Sequence, residues 1–398
     1  MFADALPRSS RRYYFAAPCV TNPPPTRESC LDLPTFHRVP VTWLLEHGSE
    51  SIRLRTHREL AYAGTVPPET LAADEEAVAK SKMVQAVIKK QKDNGVWGGN
   101  LLGLAASAKD GIKDVGSIPQ YRRLLQLGLP HAARPYKLAD RVLFRLLSRD
   151  EDPFLQFEFA KLSKDSAPAA EWAREHMREA TAAALAEAGY IEDPRLRGAA
   201  HKIASSVSAF LRSPLAEKPF IRSGAKTILN PEAHPPTWYS VAMIAAMPNL
   251  QRERAGFTER LGQYLGMPMS KKAYVWQIGK RVHKPELLLL GDPIIADAKG
   301  NAKDIPLALH FIELLARISA LHTNPVATKV LARLMSEVDE HGIWRPKAIK
   351  AAPRATHKIT YHAYPLHQET KGPDTRVVDV TFRLALIARL LGWPLEYR

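Results

Sequence analysis

The sequence contains very little cysteine and no long apolar run. Cys19 and Cys30 are the only cysteines among its 398 residues. Both fall in a proline-rich N-terminal stretch that is predicted to be disordered, so the body of the protein has no disulfide framework and no cysteine-based metal site. The longest apolar candidate, residues 305–321, is interrupted by charged side chains, and no secretory signal is evident. We therefore predict a cytoplasmic protein without a membrane span.

Common catalytic and nucleotide-binding motifs are also missing. The chain has no phosphate-binding glycine loop, H-E-x-x-H zinc motif, EF-hand loop or G-x-S-x-G elbow. His357, His362 and His367 follow one another at intervals of five, a spacing that does not place three side chains on one helix face. The sequence therefore predicts no metal site and no cofactor.

The charge balance is strongly basic. Lysine and arginine number 56 against 41 acidic residues, which gives a net charge of +15 and a pI near 9.7. Such an excess favours anionic partners. However, the charges are spread along the chain without a block of five or six basic residues, so solvated helix faces are the simpler interpretation. Nucleic acid is not expected as a partner.

The periodicity of apolar residues predicts an all-α protein. Residues 1–38 form a Pro- and Arg-rich flexible arm, and residues 39–398 form a helical domain. Gly128 and Gly189 are expected to end helices. No series of strands is predicted, although residues 356–364 suit a short extended piece. The predicted helices span residues 73–91, 121–127, 136–147, 169–190, 195–211, 238–247, 250–265, 271–282, 305–321, 326–338 and 375–391.

One stretch combines three residues that suit a helix-end clamp. Gln91, Gly95 and Trp97 follow a helical pattern in the spacing Q-x-x-x-G-x-W. A glutamine at a helix end can bridge free backbone groups, a glycine supplies a left-handed turn, and a tryptophan buries a large apolar surface. The segment from Val338 to Trp344 repeats the G-x-W ending without the glutamine.

This clamp resembles the Q-W repeat of squalene cyclases and their relatives. The resemblance implies an α/α toroid, which is a closed ring of antiparallel helix hairpins around a central cavity. It also implies an apolar ligand such as an isoprenoid. The D-x-D-D acid of the cyclases and the Asp, Cys and His zinc site of the prenyltransferases are absent from the chain. The resemblance therefore concerns architecture rather than a catalytic signature.

Several side chains suit the lining of such a cavity. Trp238, Tyr239 and Trp276 could bind a ligand through their aromatic faces, although aromatic residues more often belong to a core. Asp379 lies in an apolar helical run, where it could enter the cavity with a shifted pKa as a catalytic carboxylate. Alternatively, it could pair with Arg376 or Arg383 on its own helix.

A polar and aromatic loop before the last helix suggests a second function. Tyr361 or His362 could act as base or acid there, and Arg354 could meet an anion. These residue types, with the basic charge, would suit a lyase or hydrolase that acts on an acidic polysaccharide. A third possibility is a non-catalytic helical scaffold. The expected partner is therefore a small-molecule or glycan ligand, or another protein.

Overall fold

The computed structural model of the chain describes residues 33–62, 64–103, 116–148, 153–164, 166–269, 274–278, 281–283, 287–347, 349–355, 364–368 and 372–398. These residues belong to one unit, Leu31–Arg398, and most of them are helical, as predicted. None of the described helices combines the length and the apolar character that a bilayer crossing requires. The α-helices are α1 (Val41–His47), α2 (Glu50–Arg55), α3 (Pro68–Lys80), α4 (Lys82–Ile88), α5 (Ser117–Leu127), α6 (Arg134–Leu147), α7 (Ala167–Glu187), α8 (Pro194–Leu211), α9 (Trp238–Ala246), α10 (Pro248–Arg252), α11 (Phe257–Leu265), α12 (Ile305–Arg317), α13 (Pro325–Met335) and α14 (Val378–Leu390).

Within the described residues, six short strands form three two-stranded sheets. Strand β1 (His37–Val39) pairs in parallel with β6 (Leu395–Tyr397), so the start and the end of the domain are joined. Strand β1 begins two residues inside the arm that was predicted to reach residue 38. The other two sheets are antiparallel hairpins, β2 (Phe220–Ser223) with β3 (Lys226–Leu229), and β4 (Trp276–Ile278) with β5 (Arg281–His283).

The helix predicted over residues 271–282 is wrong in its described part, which contains the β4–β5 hairpin. The amide of Val275 donates to the carbonyl of Thr227 at 3.2 Å, and the amide of Leu229 donates to the carbonyl of Val275 at 3.0 Å. Aromatic and β-branched side chains such as those at 274–276 favour extended backbone when a partner strand is available. Tertiary pairing with β3 therefore overrides the helical spacing.

Two other predicted helices are each divided in two. The helix over 73–91 breaks at Ser81, whose Oγ accepts a hydrogen bond from the amide of Val84 at 3.3 Å and so caps a new helix. The helix over 250–265 breaks before Gly256, which has φ of +65° at the start of α11. In both cases a residue that suits a helix end interrupts an apolar pattern that continues beyond it.

The most buried helices contact one another in a closed series. Helix α2 contacts α5, and the series continues through α7, α9, α12 and α14. Helix α14 in turn contacts the π-helical turn Thr56–Leu60, which extends α2. Most residues of α5, α9, α12 and α14 are buried. The remaining helices pack against this series; for example, α6 and α8 contact α7, and α13 contacts α12.

Three loops share one hydrogen-bonding pattern, and we call them the glycine turns: residues 91–97, 296–302 and 338–344. In each turn the first and seventh residues form a β-bridge. The amide of the second residue donates to the carbonyl of the sixth, at 2.9, 3.2 and 2.9 Å, respectively. The amide of the fifth residue, always glycine, donates to the carbonyl of the second at 2.9, 3.0 and 3.0 Å. The predicted copy at 338–344 is therefore confirmed as the same turn, and 296–302 is a third copy.

The glycine is required by both its conformation and its contacts. Gly95, Gly300 and Gly342 have φ of +89°, +83° and +87°. A Cβ atom on any of them would collide with a backbone carbonyl of another segment. The carbonyls belong to Leu138, Lys329 and Arg38, respectively. Each glycine turn therefore fixes the distance between two segments of the chain.

The first glycine turn contains the expected clamp. Nε2 of Gln91 donates to the carbonyls of Gly95 and Pro135 at 3.0 and 2.9 Å. The indole Nε1 of Trp97 donates to the carbonyl of Val87 at 2.9 Å, and its ring is buried. The glutamine thus links the turn to α6, whereas the tryptophan satisfies a carbonyl near the end of α4.

Substitution of Gly95 by alanine should test this close approach. We expect Gly95→Ala to lower the free energy of unfolding by about 2–4 kcal/mol, because it adds a collision with Leu138 to the strain of a positive φ. Gly98 is a matched control, since its φ is +70° but its Cβ position faces open space. Gly98→Ala should cost only about 1 kcal/mol. Equal losses in denaturant titrations of the two variants would contradict the steric explanation.

Candidate functional site

Ionisable side chains gather where the helices of the closed series meet, and we call this set the arginine layer. Three of its ion pairs join residues four apart on one helical segment, and the fourth joins α5 to α7. The layer comprises five arginines and four carboxylates: Arg55, Arg122, Arg123, Arg317, Arg383, Glu59, Glu187, Glu313 and Asp379.

Arg122 is the most deeply buried member of the layer. Its side chain is 1% exposed. Its Nε and Nη2 atoms donate to the two carboxylate oxygens of Glu187 at 2.7 and 2.8 Å, a bidentate pair. Its guanidinium carbon also lies 5.5 Å from the ring centroid of Tyr239. Arg122 is therefore fully compensated by one carboxylate and one aromatic ring.

The neighbouring Arg123 is also buried beside an aromatic ring, but it lacks a carboxylate partner among the described residues. The residue is 4% exposed, and no hydrogen bond or ion pair joins it to a carboxylate among the described residues. Its guanidinium carbon lies 5.9 Å from the ring centroid of Tyr364, and its Nε has no hydrogen-bond partner in that part of the chain. Burial lowers the pKa of Arg123 to about 10. A cation in this position is costly unless an anion joins it.

Tyr364 forms the centre of contacts between the layer and the loop before α14. Its amide donates to Oε1 of Gln126 at 2.8 Å, and its carbonyl accepts from Nη2 of Arg383 at 2.7 Å. Its hydroxyl is buried without a hydrogen-bond partner in the described structure. Burial raises the pKa of this hydroxyl, so it remains a protonated donor at neutral pH. Two unsatisfied donor side chains, Arg123 and Tyr364, are thus neighbours.

The arginines of the layer keep one of its acids, Glu313, ionised. Burial alone would raise the pKa of Glu313, but the cations of Arg317, Arg55 and Arg383 lower it to about 2. Glu313 therefore remains a carboxylate at neutral pH. With four acids against five arginines, the layer carries one surplus positive charge.

Asp379 is the only predicted catalytic residue that lies among the described residues. Its Oδ1 accepts from Nε of Arg383 at 2.7 Å, which is one of the two pairings that its sequence context suggested. Its Oδ2 accepts from the amide of Leu366 at 2.9 Å, so it also anchors the loop before α14. Tyr361 and His362 lie outside the described residues.

The four predicted ligand-binding residues do not share one site. Tyr239 contacts the arginine layer through Arg122. Trp238 is 5% exposed and packs against the rings of His310 and Phe311. Trp276 packs edge-on against Trp172 and His176, with centroids 4.8 and 4.9 Å away. Arg354 lies in a surface cleft whose lining includes no member of the layer.

Sequence reasoning missed Arg122, Arg123 and Tyr364. One signal for the arginines was available, because two adjacent arginines interrupt the apolar pattern of residues 121–127. Adjacent residues on a helix differ in direction by about 100°, so both cannot easily face solvent on a helix that is buried on most sides. No comparable signal marked Tyr364, which stands beside the predicted Tyr361 and His362.

A second group of ionisable residues lies along one face of α7. Its members Glu175, His176 and Glu179 lie within four residues of one another, and the ring of Trp172 stacks on His176. Burial raises the pKa of Glu179 to about 7, despite hydrogen bonds from the side chains of Thr237 and Ser240. Within the described residues, no group of three or more His, Cys, Asp or Glu side chains is placed to hold a metal ion. Glu179 is therefore the residue of this group whose pKa lies near neutral pH.

Comparisons of the chain with models of known protein families, with curated proteins and with solved structures give no match. The chemistry of the site is therefore the guide to function.

The raised pKa of Glu179 predicts a specific pH dependence of stability. The folded pKa of about 7 exceeds the ordinary value of 4.5. The protonated acid is thus favoured by folding, and its contribution is complete below pH 4.5 and lost as pH rises through 7. Glu179→Gln should therefore gain about 1–3 kcal/mol relative to wild type between pH 4.5 and 8. Denaturant titrations across this pH range measure the difference in the free energy of unfolding between the variant and the wild type. Glu232→Gln, at an exposed position, is the control. A difference that does not vary with pH would contradict the assignment.

Proposed function

We propose that this chain is an α/α-toroid protein whose central arginine layer binds the carboxylate of a small ligand. The closed series of contacts from α2 through α14 and back supports the ring. The three glycine turns support it further, since they repeat one turn geometry along the chain, and two of them follow the ends of α4 and α13. The resemblance of Gln91, Gly95 and Trp97 to a Q-W repeat agrees with the same architecture.

The observation that carries the ligand proposal is the buried and uncompensated Arg123. A buried charge is normally paired, because the loss of hydration costs several kcal/mol. The other four arginines of the layer each have a carboxylate partner. One surplus positive charge favours a monoanion, and the planar guanidinium favours a carboxylate.

The surroundings of Arg123 suit an acidic sugar. The hydroxyl of Tyr364 is a second unsatisfied donor that could bind a ligand oxygen. Water reaches the layer, because the side chains of Glu187, Asp379 and Glu59 are 22%, 25% and 30% exposed. A uronate supplies both the carboxylate and the hydroxyl groups that such a polar site requires.

An apolar isoprenoid ligand has less support from the same residues. The arginine layer consists of charged side chains rather than an aliphatic surface. Trp238 and Trp276, which were expected to line an apolar cavity, pack against other aromatic rings. If the protein transforms its ligand, Tyr361 or His362 remains the proposed base, since both lie within three positions of the anchored Tyr364 in the sequence.

Replacement of Arg123 by methionine separates ligand binding from folding. Sodium glucuronate should stabilise the wild-type protein by about 2.7 kcal/mol at 100 times its Kd. In the proposal, Arg123→Met is not stabilised by glucuronate. The ligand-free variant should be as stable as wild type or more so, because an uncompensated buried charge is gone. Thermal unfolding at constant ionic strength, and mass spectrometry of co-purifying small molecules, measure these effects.

Arg122→Met is the control for this experiment. It leaves Glu187 without its bidentate partner, so we expect a loss of about 3–5 kcal/mol in stability. The proposal is wrong if Arg123→Met is destabilised and its response to glucuronate matches that of wild type. That result would assign Arg123 a structural role through the ring of Tyr364.

A further inference from the structure

A surface cleft of about 350 Å³ lies between the second glycine turn, helix α13 and the segment after Trp344. It shares no residue with the arginine layer. Its described lining consists of Gly300, Asn301, Ala302, Lys303, Ile305, Arg333, Leu334, Glu337, Trp344, Pro346, Ile349, Lys350, Ala351, Pro353 and Arg354.

The lining of the cleft is strongly positive. Lys303, Arg333, Lys350 and Arg354 contribute four cations, and Glu337 is the single acid among the described lining residues. Glu337 is already engaged, because Oε1 accepts from Nη2 of Arg333 at 2.6 Å and Oε2 accepts from the indole of Trp344 at 3.1 Å. Among the described lining residues, cations therefore outnumber acids by three, and Lys303 and Lys350 are the two lysines among them.

One cation of the cleft is held in a fixed position. Nε of Arg333 donates to Oδ1 of Asn301 at 2.9 Å, and its Nη1 donates to Oγ of Ser336 at 3.3 Å. With Nη2 on Glu337, all three guanidinium nitrogens have protein partners. Arg333 therefore contributes a fixed positive field, whereas the exposed amino groups of Lys303 and Lys350 are suited to direct contact with an anion.

Most of the remaining lining residues are apolar. Ile305, Leu334 and Ile349 form an aliphatic surface beside the cations. Ala302 occupies the seventh position of the second glycine turn, where the other two turns have Trp97 and Trp344. Its small side chain leaves space that an indole would fill. The cleft therefore lies where the repeated turn departs from its own pattern.

We propose that this cleft binds an organic phosphate, with the phosphate groups on Lys303 and Lys350 and the organic body against the aliphatic surface. The two lysine amino groups match a ligand with two negative charges, and compact amino groups bind phosphate well. The volume lies at the lower end of the range for small-molecule sites, which suits a mononucleotide-sized ligand. This site is independent of the carboxylate proposed for the arginine layer.

Calorimetric titration with ADP, adenosine and a short oligothymidylate tests the proposal. Wild-type protein should bind ADP at least tenfold more tightly than adenosine. Lys303→Gln with Lys350→Gln should weaken ADP binding at least tenfold. The matched control is Lys202→Gln with Lys226→Gln, which removes the same charge from exposed positions on α8 and β3 and should leave ADP affinity within about twofold.

Two further variants make the assignment specific. Ala302→Trp should fill the cleft and abolish ADP binding, whereas Arg123→Met should bind ADP as wild type does. The proposal is overturned if ADP binds no better than adenosine, or if both double variants lose affinity equally. Tighter binding of the oligothymidylate than of ADP would also overturn it, in favour of a nucleic-acid surface.

Discussion

The close approach of a glycine α-carbon to the backbone of another segment is the constraint on which the rest of the structure depends. In the first and third glycine turns, the tryptophan after the glycine extends this constraint to a buried helix. The amide of Trp97 donates to Oγ of Ser117 at 3.0 Å, and the amide of Trp344 donates to Oγ1 of Thr381 at 3.1 Å. Ser117 begins the helix that carries Arg122 and Arg123, and Thr381 lies two residues before Arg383. The turns therefore help to position the arginines that form the layer.

Burial of the charged side chains of the layer costs free energy, and the ion pairs of the layer offset most of this cost. Pairs such as Arg383 with Asp379 are four residues apart, so the helix supplies their geometry at little further loss of entropy. Arg122 relies instead on a carboxylate from another helix, in a bidentate contact that a lysine could not reproduce. Arg123 shares the burial of Arg122 without a carboxylate, and this contrast between adjacent residues is the reason to regard the layer as a site rather than as packing.

The sequence predicted the structure where it depends on residues that are close together in the chain. The helix ends at Gly128 and Gly189 follow from glycine at a left-handed position, and both have φ above +80° as expected. The pairing of Asp379 with Arg383 was likewise available from spacing. Contacts between residues that are distant in the sequence could not be predicted in this way. For example, the side chain of Gln126 binds the amide of Tyr364, 238 positions away, and neither local sequence pattern indicates the other residue. The β4–β5 hairpin was missed for the same reason, since its partner strand lies about 50 residues earlier.

A glycine turn that departs from the shared pattern is more informative about function than the turns that keep the pattern. The turns at 91–97 and 338–344 use their tryptophans to satisfy backbone or carboxylate groups and to fill space, which is a structural task. At 296–302 the backbone has the same geometry, but the seventh residue is alanine. This turn therefore lacks the indole that fills space in the other two. An indole at this position would add buried apolar contact that alanine does not supply. Local sequence choices that lower stability without an evident packing reason are expected at functional positions, and here the space left open is bordered by four cations.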